Sequence, residues 1–285
     1  MGGAKLSRGT MSISVSMPLK IATLTTDFGL KDPYVAEMKA AILSICPNTA
    51  IVDITHEIAK FNIRVGAYVL ASAAPYFPKG SIHVAVVDPG VGTQRRPILI
   101  QTKQGFFVGP DNGILVLAAE KQGITRVHEL ANPQFMLPKV SNTFHGRDIF
   151  APVAAHLLNG VTPEEFGPEI SEAAKPEFAK TTQKNGVLVG EVLLVDGFGN
   201  IITNIKEKEV AQSHLKGTVN VELPDCKLKL RFCKAYGETK PREPLALIGS
   251  HGFLEIALNQ GSAATKFKAK SGDKIKLLLQ GGPLT

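Results

Sequence analysis

Residues 81–96 read SIHVAVVDPGVGTQRR. The opening run is apolar without alternation and rich in Val and Ile. A strand covered on both faces needs that composition, and such cover belongs to parallel sheets flanked by helices. The run stops at Asp88-Pro89-Gly90, and Gly92 follows, so the chain turns tightly and its backbone can approach a ligand closely. In open α/β sheets ligands bind beyond the carboxyl ends of the strands. Asp88 stands at such an end, and Arg95 and Arg96 bring cations close behind it. An ion pair that merely ties down a loop would have the same spacing, and spacing alone leaves the two readings level.

On the N-terminal side, KIATLTT (20–26) is a second apolar run, ending in the turn Asp27-Phe28-Gly29. Asp32 and Pro33 predict a helix N-cap and a first helical position. Val35, Met38, Ile42 and Ile45 then recur at helical spacing until Pro47. AIVDITH (50–56) predicts a strand, and residues 62–74 a helix with Ile63, Gly66, Ala67 and Leu70 on one side. On the C-terminal side, PILIQT, GFFVG and TRVHEL predict shorter strands. A helix is expected near Asp148, with Phe150, Val153, Ala154, Leu157 and Leu158 on one face.

Near residue 163 this texture ends. Pro168 and Pro176 sit among Glu, Ala, Lys and Thr with no sustained period, which marks residues 166–184 as a linker. Beyond it come seven β runs with Gly, Asn and Pro between them: VLVGEVLLVD, NIITNI, TVNVEL, KLKLRF, LALIGS, FLEIAL and KIKLLLQ. They predict an all-β barrel or sandwich. The expected organisation is a disordered extension over 1–19, a mostly parallel α/β domain over 20–165, and a smaller barrel-like β domain over 185–285.

Bulk properties narrow the function. A chain of 285 residues, 44% hydrophobic and 20% charged, is globular and large enough to bury a core without staples. Three cysteines are too few for a disulfide framework and read as buried, reduced thiols of a cytoplasmic protein. No apolar run reaches the roughly 18 residues of a membrane span, and the first twenty residues lack the apolar core of a signal peptide. The net charge of +7 invites a nucleic-acid partner, but the chain has no Trp and only four Tyr for base stacking. Lys206, Lys208, Lys227 and Lys229 are spaced among other residues as on a solvated face, so no nucleic acid is expected.

Other clusters have chemical potential. In Thr143-Phe144-His145-Gly146-Arg147-Asp148 a histidine precedes a helix start, where the dipole is positive. His83 and His128 lie within strands and suit packing. Asp196-Gly197-Phe198-Gly199-Asn200 offers an acceptor, an aromatic face and an amide at a strand end. Ser250-His251-Gly252-Phe253 and Asn259-Gln260-Gly261-Ser262 bracket another strand, and on spacing alone these are ordinary hairpin residues. The Asp27-Phe28-Gly29 triplet has no kinase catalytic loop beside it. No G-x-G-x-x-G follows a strand, and neither G-x-S-x-G nor H-E-x-x-H occurs.

Taken in order, TTDFG, IVDITHEI, VVDPGVGTQRR, FVGPDNG, TFHGRDIFAPVAA, VDGFGNIITN and GFLEIALNQGSAA resemble the S-adenosylmethionine hydroxide adenosyltransferases, relatives of the fluorinase and chlorinase, from about residue 20 to 280. The resemblance implies hydrolysis of S-adenosylmethionine to adenosine and methionine without a metal or redox cofactor. It implies a triad of Asp88, Arg95 and His145 around the attacking water, with either Asp88 or His145 taking the proton or orienting the water. It matches Asp27 to the ribose hydroxyls and Phe61 to the nucleoside face. Asp196 corresponds to the acceptor of the methionine amino group, Phe198 and Asn200 to the adenine pocket, and Ser250 to the methionine carboxylate. Asn259 and Gln260 correspond to the backbone that reads adenine. The halogenases carry an Arg after that Ser, where this chain has His251. A homotrimer with sites between subunits is also implied. The alternatives are a halogenase, disfavoured by the fixed charge of Asp88, and a non-catalytic adenosyl-binding module.

Overall fold

In the computed structural model the described residues are 19–212 and 217–279. The expected extension lies outside them except for Leu19. The apolar runs of the first half become β1 (Lys20–Thr26), β2 (Thr49–Thr55), β3 (Ile82–Val86), β4 (Pro97–Thr102), β5 (Phe106–Pro110) and β6 (Ile124–Glu129). Between them lie α1 (Tyr34–Ile45), α2 (Ile63–Ala73) and α3 (Val116–Gln122), and α4 (Ala151–Leu158) follows. The strands form one sheet in the order β2-β1-β3-β5-β4-β6. The first four pair in parallel, while β4 runs antiparallel to both neighbours.

Helices cover this sheet on both faces. Ala85 and Val87 pack with α2 and α3 on one side, while Ile82, Val84 and Val86 pack with α1 and α4 on the other. Every residue of β3 is buried, as its unbroken apolar sequence requires.

The second half supplies β7 (Thr182–Lys184), β8 (Val187–Val195), β9 (Ile201–Lys206), α5 (Glu207–Gln212), β10 (Thr218–Leu223), β11 (Cys226–Phe232), β12 (Pro244–Ile248), β13 (Phe253–Leu258), α6 (Ala263–Phe267) and β14 (Lys274–Leu278). Strands β8, β9, β13, β12, β11, β10 and β14 pair in that sequence, and β14 returns to β8, closing a barrel. Only β11 and β12 are parallel within it. The alternating residues point Val219, Val221, Leu230, Leu254, Ile256, Ile275 and Leu277 into the barrel core. Lys227 and Lys229 of β11 are exposed, as a solvated strand face should be. Leu193, Ile202 and Phe253 leave the barrel core to join the cluster under α2, so the two halves share packing.

Several local expectations need correction. The first helix starts one residue later than Asp32-Pro33 suggests, with Pro33 in the capping position and contributing no side-chain cap. Helix α3 was not anticipated because Val116, Leu117, Ala118 and Ala119 are all buried, leaving the segment without a polar face to reveal its period. Strand β7 falls inside the presumed linker, and α5 and α6 are single short turns. The predicted helix at Asp148 begins instead as a π-helical turn over Gly146–Phe150, which α4 continues. All three cysteines are free thiols, but Cys226 is only half-buried.

Candidate active site

The loop after β3 and the loop before the π-turn meet at the carboxyl edge of the sheet. Gly92 makes the approach possible. Its φ is +74°, and a Cβ there would lie 2.1 Å from the carbonyl oxygen of Asn142. Across this junction Arg95 holds both partners. Its Nε donates to Asp88 Oδ2 at 2.9 Å, and its Nη2 lies 2.9 Å from His145 Nδ1. The side chains of Asp88 and Arg95 are almost fully buried, and the guanidinium also lies over the Phe150 ring at 5.3 Å. Arg95 Nη1 is buried with no hydrogen-bond partner among the described residues. Arg96 turns away to Asp111, donating from Nε at 2.9 Å, and is a loop tie only.

The contact with Arg95 fixes the state of His145. Guanidinium is a donor with no acceptor, so Nδ1 must offer a lone pair and the hydrogen of neutral imidazole sits on Nε2. Burial lowers the His145 pKa, and the charge of Arg95 lowers it further; Asp88, Asp148 and the Ser141 carbonyl oppose without prevailing. Asp148 secures this loop. It is fully buried, accepts from Ser141 N–H at 2.8 Å and from Arg147 Nε at 2.6 Å, and Arg147 reaches Glu37 of α1.

Asp88 and His145 line a cavity of about 360 Å³ together with Asp27, Phe61, Lys60 and Tyr34. Asp27 is buried; its Oδ2 accepts from the backbone N–H of Phe61 at 2.8 Å, and Lys60 binds its carbonyl oxygen. Phe61 is held at φ +63°, a sparsely populated conformation for an aromatic residue, with its side chain 68% exposed. Phe28, Tyr34 and Phe144 form an edge-to-face wall, Tyr34 and Phe144 being 5.1 Å apart between centroids.

A second cavity, about 860 Å³, opens on the barrel side. Asp196, Phe198, Asn200, Ser250 and Gln260 line it, joined by Tyr68, Tyr236, His251 and Glu255. Asp196 organises its own turn. Oδ1 accepts from the N–H groups of Phe198 and Asn200 at 2.9 Å each, and Oδ2 from Asn200 Nδ2 at 2.9 Å. His251 Nδ1 lies 3.0 Å from the Tyr68 hydroxyl, and Lys121 donates to the His251 carbonyl at 2.7 Å. Burial lowers the His251 pKa, with Lys121 adding to the effect.

Of the expected residues, Asn259 stands apart. Its Nδ2 donates to the Thr239 carbonyl at 2.6 Å, while its backbone pairs with Arg242 and Glu243, so it pins the loop before β12 rather than lining the cavity. The structure thus gathers Asp88, Arg95, His145, Asp27 and Phe61 at one place and Asp196, Phe198, Asn200, Ser250 and Gln260 at another. Tyr68, Tyr236 and Glu255 were not foreseen. Glu255 alone left a signal, as the one charge within the apolar strand FLEIAL.

His83 and His128 are buried within their strands. His83 stacks on Phe107 at 4.8 Å and meets Thr23 Oγ1 at 2.8 Å, and His128 contacts the Gly167 carbonyl at 3.2 Å. No helix among the described residues is long and apolar enough to cross a membrane.

Two family models match the chain in order. Residues 22–167 match the SAM hydroxide adenosyltransferase N-terminal domain and residues 190–276 the C-terminal domain of the same family. An (R)-S-adenosyl-L-methionine hydrolase of Methanocaldococcus jannaschii is 41% identical over 272 residues, covering 91% of this chain and 96% of the relative. A fluorinase of an Actinoplanes species is 28% identical, covering 88% of this chain and 95% of that protein. A crystal structure of an uncharacterized conserved protein from Thermotoga maritima superimposes with a TM-score of 0.79 at 41% identity, covering 90% of this chain and 99% of that one. The chain belongs to the SAM hydroxide adenosyltransferase family.

Proposed function

We infer that this protein hydrolyses S-adenosyl-L-methionine to adenosine and L-methionine, with water attacking the ribose 5′ carbon in line with the departing sulfur. The sulfonium leaves as a neutral thioether, so catalysis reduces to aiming a nucleophile and excluding bulk water. The observation that carries the mechanism is the Arg95 bridge between Asp88 and His145. His145 has its Nδ1 lone pair engaged by Arg95 and its hydrogen on Nε2, so it acts as a donor. Asp88 keeps lone pairs beyond those facing Arg95 and is the acceptor for the water's proton. Arg95 supplies the positive charge that favours hydroxide over water. Asp27 accepts the ribose hydroxyls and Phe61 covers the nucleoside. Phe198 and Asn200 receive the adenine, with Gln260 at its edge, and Ser250 and His251 flank the methionine carboxylate.

These two groups of residues line separate cavities, and each presents an uncovered aromatic face, Phe61 at 68% and Phe198 at 84% exposure. That division supports a homotrimer in which one subunit's sheet edge meets the next subunit's barrel. Three free thiols support a reducing, cytoplasmic setting. A halogenase reading meets the carboxylate of Asp88, whose fixed charge repels an anionic nucleophile. Purified protein incubated with S-adenosylmethionine in metal-free buffer is expected to release adenosine and methionine in equal amounts, unaffected by chelator. Methylthioadenosine or S-adenosylhomocysteine as the nucleoside product would overturn the reaction class.

A further inference from the structure

Behind the Asp27 turn lies a buried chain of polar groups that the mechanism above does not use. It comes from the stretch IVDITHEI (51–58), in which Asp53 belongs to β2 and His56 follows its last residue. Strands β1 and β2 pair in parallel, but their register slips between Leu24 and Thr25, so the ladder is irregular just before Asp27. Side chains take over from there. His56 is 3% exposed and Thr26 is fully buried. His56 Nδ1 lies 2.9 Å from the Thr26 hydroxyl, which accepts from the backbone N–H of Phe28 at 3.2 Å. The His56 carbonyl accepts from Gly29 N–H at 2.8 Å. One residue thus holds the turn at both N–H groups that follow Asp27.

Asp53 stands behind this residue, its Oδ1 3.0 Å from His56 Nε2, though off the line of a hydrogen bond. Lys39 of α1 donates to Asp53 Oδ2 at 2.6 Å. A carboxylate beside Nε2 favours the imidazole hydrogen there, which leaves the Nδ1 lone pair to accept from the Thr26 hydroxyl. Thr26 then both accepts and donates, and the chain from Phe28 N–H to Asp53 runs in one direction.

We propose that His56 is a positioning residue, fixing the turn so that the Asp27 carboxylate is presented to the ribose hydroxyls. The inference rests on the hydrolase reading above, which puts a ribose against Asp27. Asp27 Oδ2 accepts from Phe61 N–H at 2.8 Å, which anchors one oxygen, while the backbone of the turn sets where the carboxylate lies as a whole. His56 does not line the cavity that Asp27 lines, so it acts through the turn. A misaimed carboxylate loses its charge-assisted bonds to the hydroxyls and leaves contacts with the base in place.

The test measures binding of adenosine and of 2′,3′-dideoxyadenosine, which lacks both hydroxyls, to full-length wild type, His56→Ala and His56→Asn. Wild type is expected to prefer adenosine. His56→Ala is expected to lose about tenfold in adenosine affinity and to raise KM for S-adenosylmethionine by a similar factor. Its kcat should change less, and its affinity for the dideoxynucleoside should stay near wild type. The amide of His56→Asn reaches the Nδ1 position and is expected to restore most of the preference. Equal weakening of both nucleosides would mark a merely structural residue, and an unchanged preference would show that the turn holds without His56. Either result overturns the proposal. Should His56→Ala not fold, Thr26→Val breaks the same hydroxyl link with little change of shape, and the same pattern is expected of it. A wild type without preference for adenosine would mean that Asp27 is not the ribose ligand, and the reading beneath this inference would fall with it.

Discussion

Arg95 has no lone pair to offer, so its 2.9 Å contact with His145 Nδ1 determines which imidazole nitrogen carries hydrogen. The sequence left the proton's destination open between Asp88 and His145, because a tautomer depends on a neighbour brought from fifty residues away. A donor role for His145 has a consequence that a base role does not. His145→Gln keeps an N–H donor and is expected to retain measurably more kcat than His145→Ala. The alanine variant is expected to lose about a hundred-fold, by analogy with removal of an oxyanion donor. KM is expected to stay near wild type in both. Because burial and Arg95 lower the His145 pKa, the ring stays neutral at neutral pH and charges only below the ordinary histidine range. Activity should therefore fall on the acid side as Nδ1 gains a proton against Arg95, and that limb should disappear in His145→Gln. Equal kcat for the Gln and Ala variants would return His145 to the role of base.

Elements with a clean period were readable from sequence: the unbroken β3 run, the faces of α1 and α2, and all seven barrel strands. Segments that lack contrast were not. Helix α3 is apolar throughout its buried first turn, and the π-turn at Gly146–Phe150 begins at a glycine whose added Cβ would lie 3.2 Å from Met38, a close approach to a distant segment that no local pattern encodes. Expected site residues were similarly uneven. Asp88 and Asp27 sit at strand ends, where topology makes them conspicuous, but nothing in the sequence around Asn259 shows that its side chain is tied to the Thr239 carbonyl. The junction of the Asp88 and His145 loops hangs on Gly92, whose φ is positive and whose Cβ, if added, would lie 2.1 Å from the Asn142 carbonyl oxygen. Gly92→Ala is expected to cost roughly 1–3 kcal/mol of stability. Pushing the Asp88 loop off the His145 loop should also lower kcat more than KM. Thermal denaturation and steady-state kinetics measure the two effects; a wild-type kcat would mean that the loops find register without the close approach.

The whole molecule joins an α/β sandwich to a closed barrel through shared packing beneath α2 and an ion-pair network in which Glu191 meets both Arg64 and Lys274. Two textures of sequence were enough to separate these halves, since one alternates strand and helix periods and the other holds period two. What the sequence could not convey is that Asp88 and His145 line one cavity of the chain while Phe198 and Asn200 line another. If the trimer joins them across subunits, activity becomes a property of pairs of chains. An Asp88→Ala protein and a Phe198→Ala/Asn200→Ala protein would each be inactive alone, because every junction then lacks one half. Co-expressed in equal amounts, they would form mixed trimers in which one junction in four pairs an intact sheet edge with an intact barrel. About a quarter of wild-type activity is therefore expected, with light scattering showing trimers throughout. A site confined to one chain makes the opposite forecast. Each chain would still carry its own lesion, so mixing would restore nothing, and an active monomer would exclude the shared site outright.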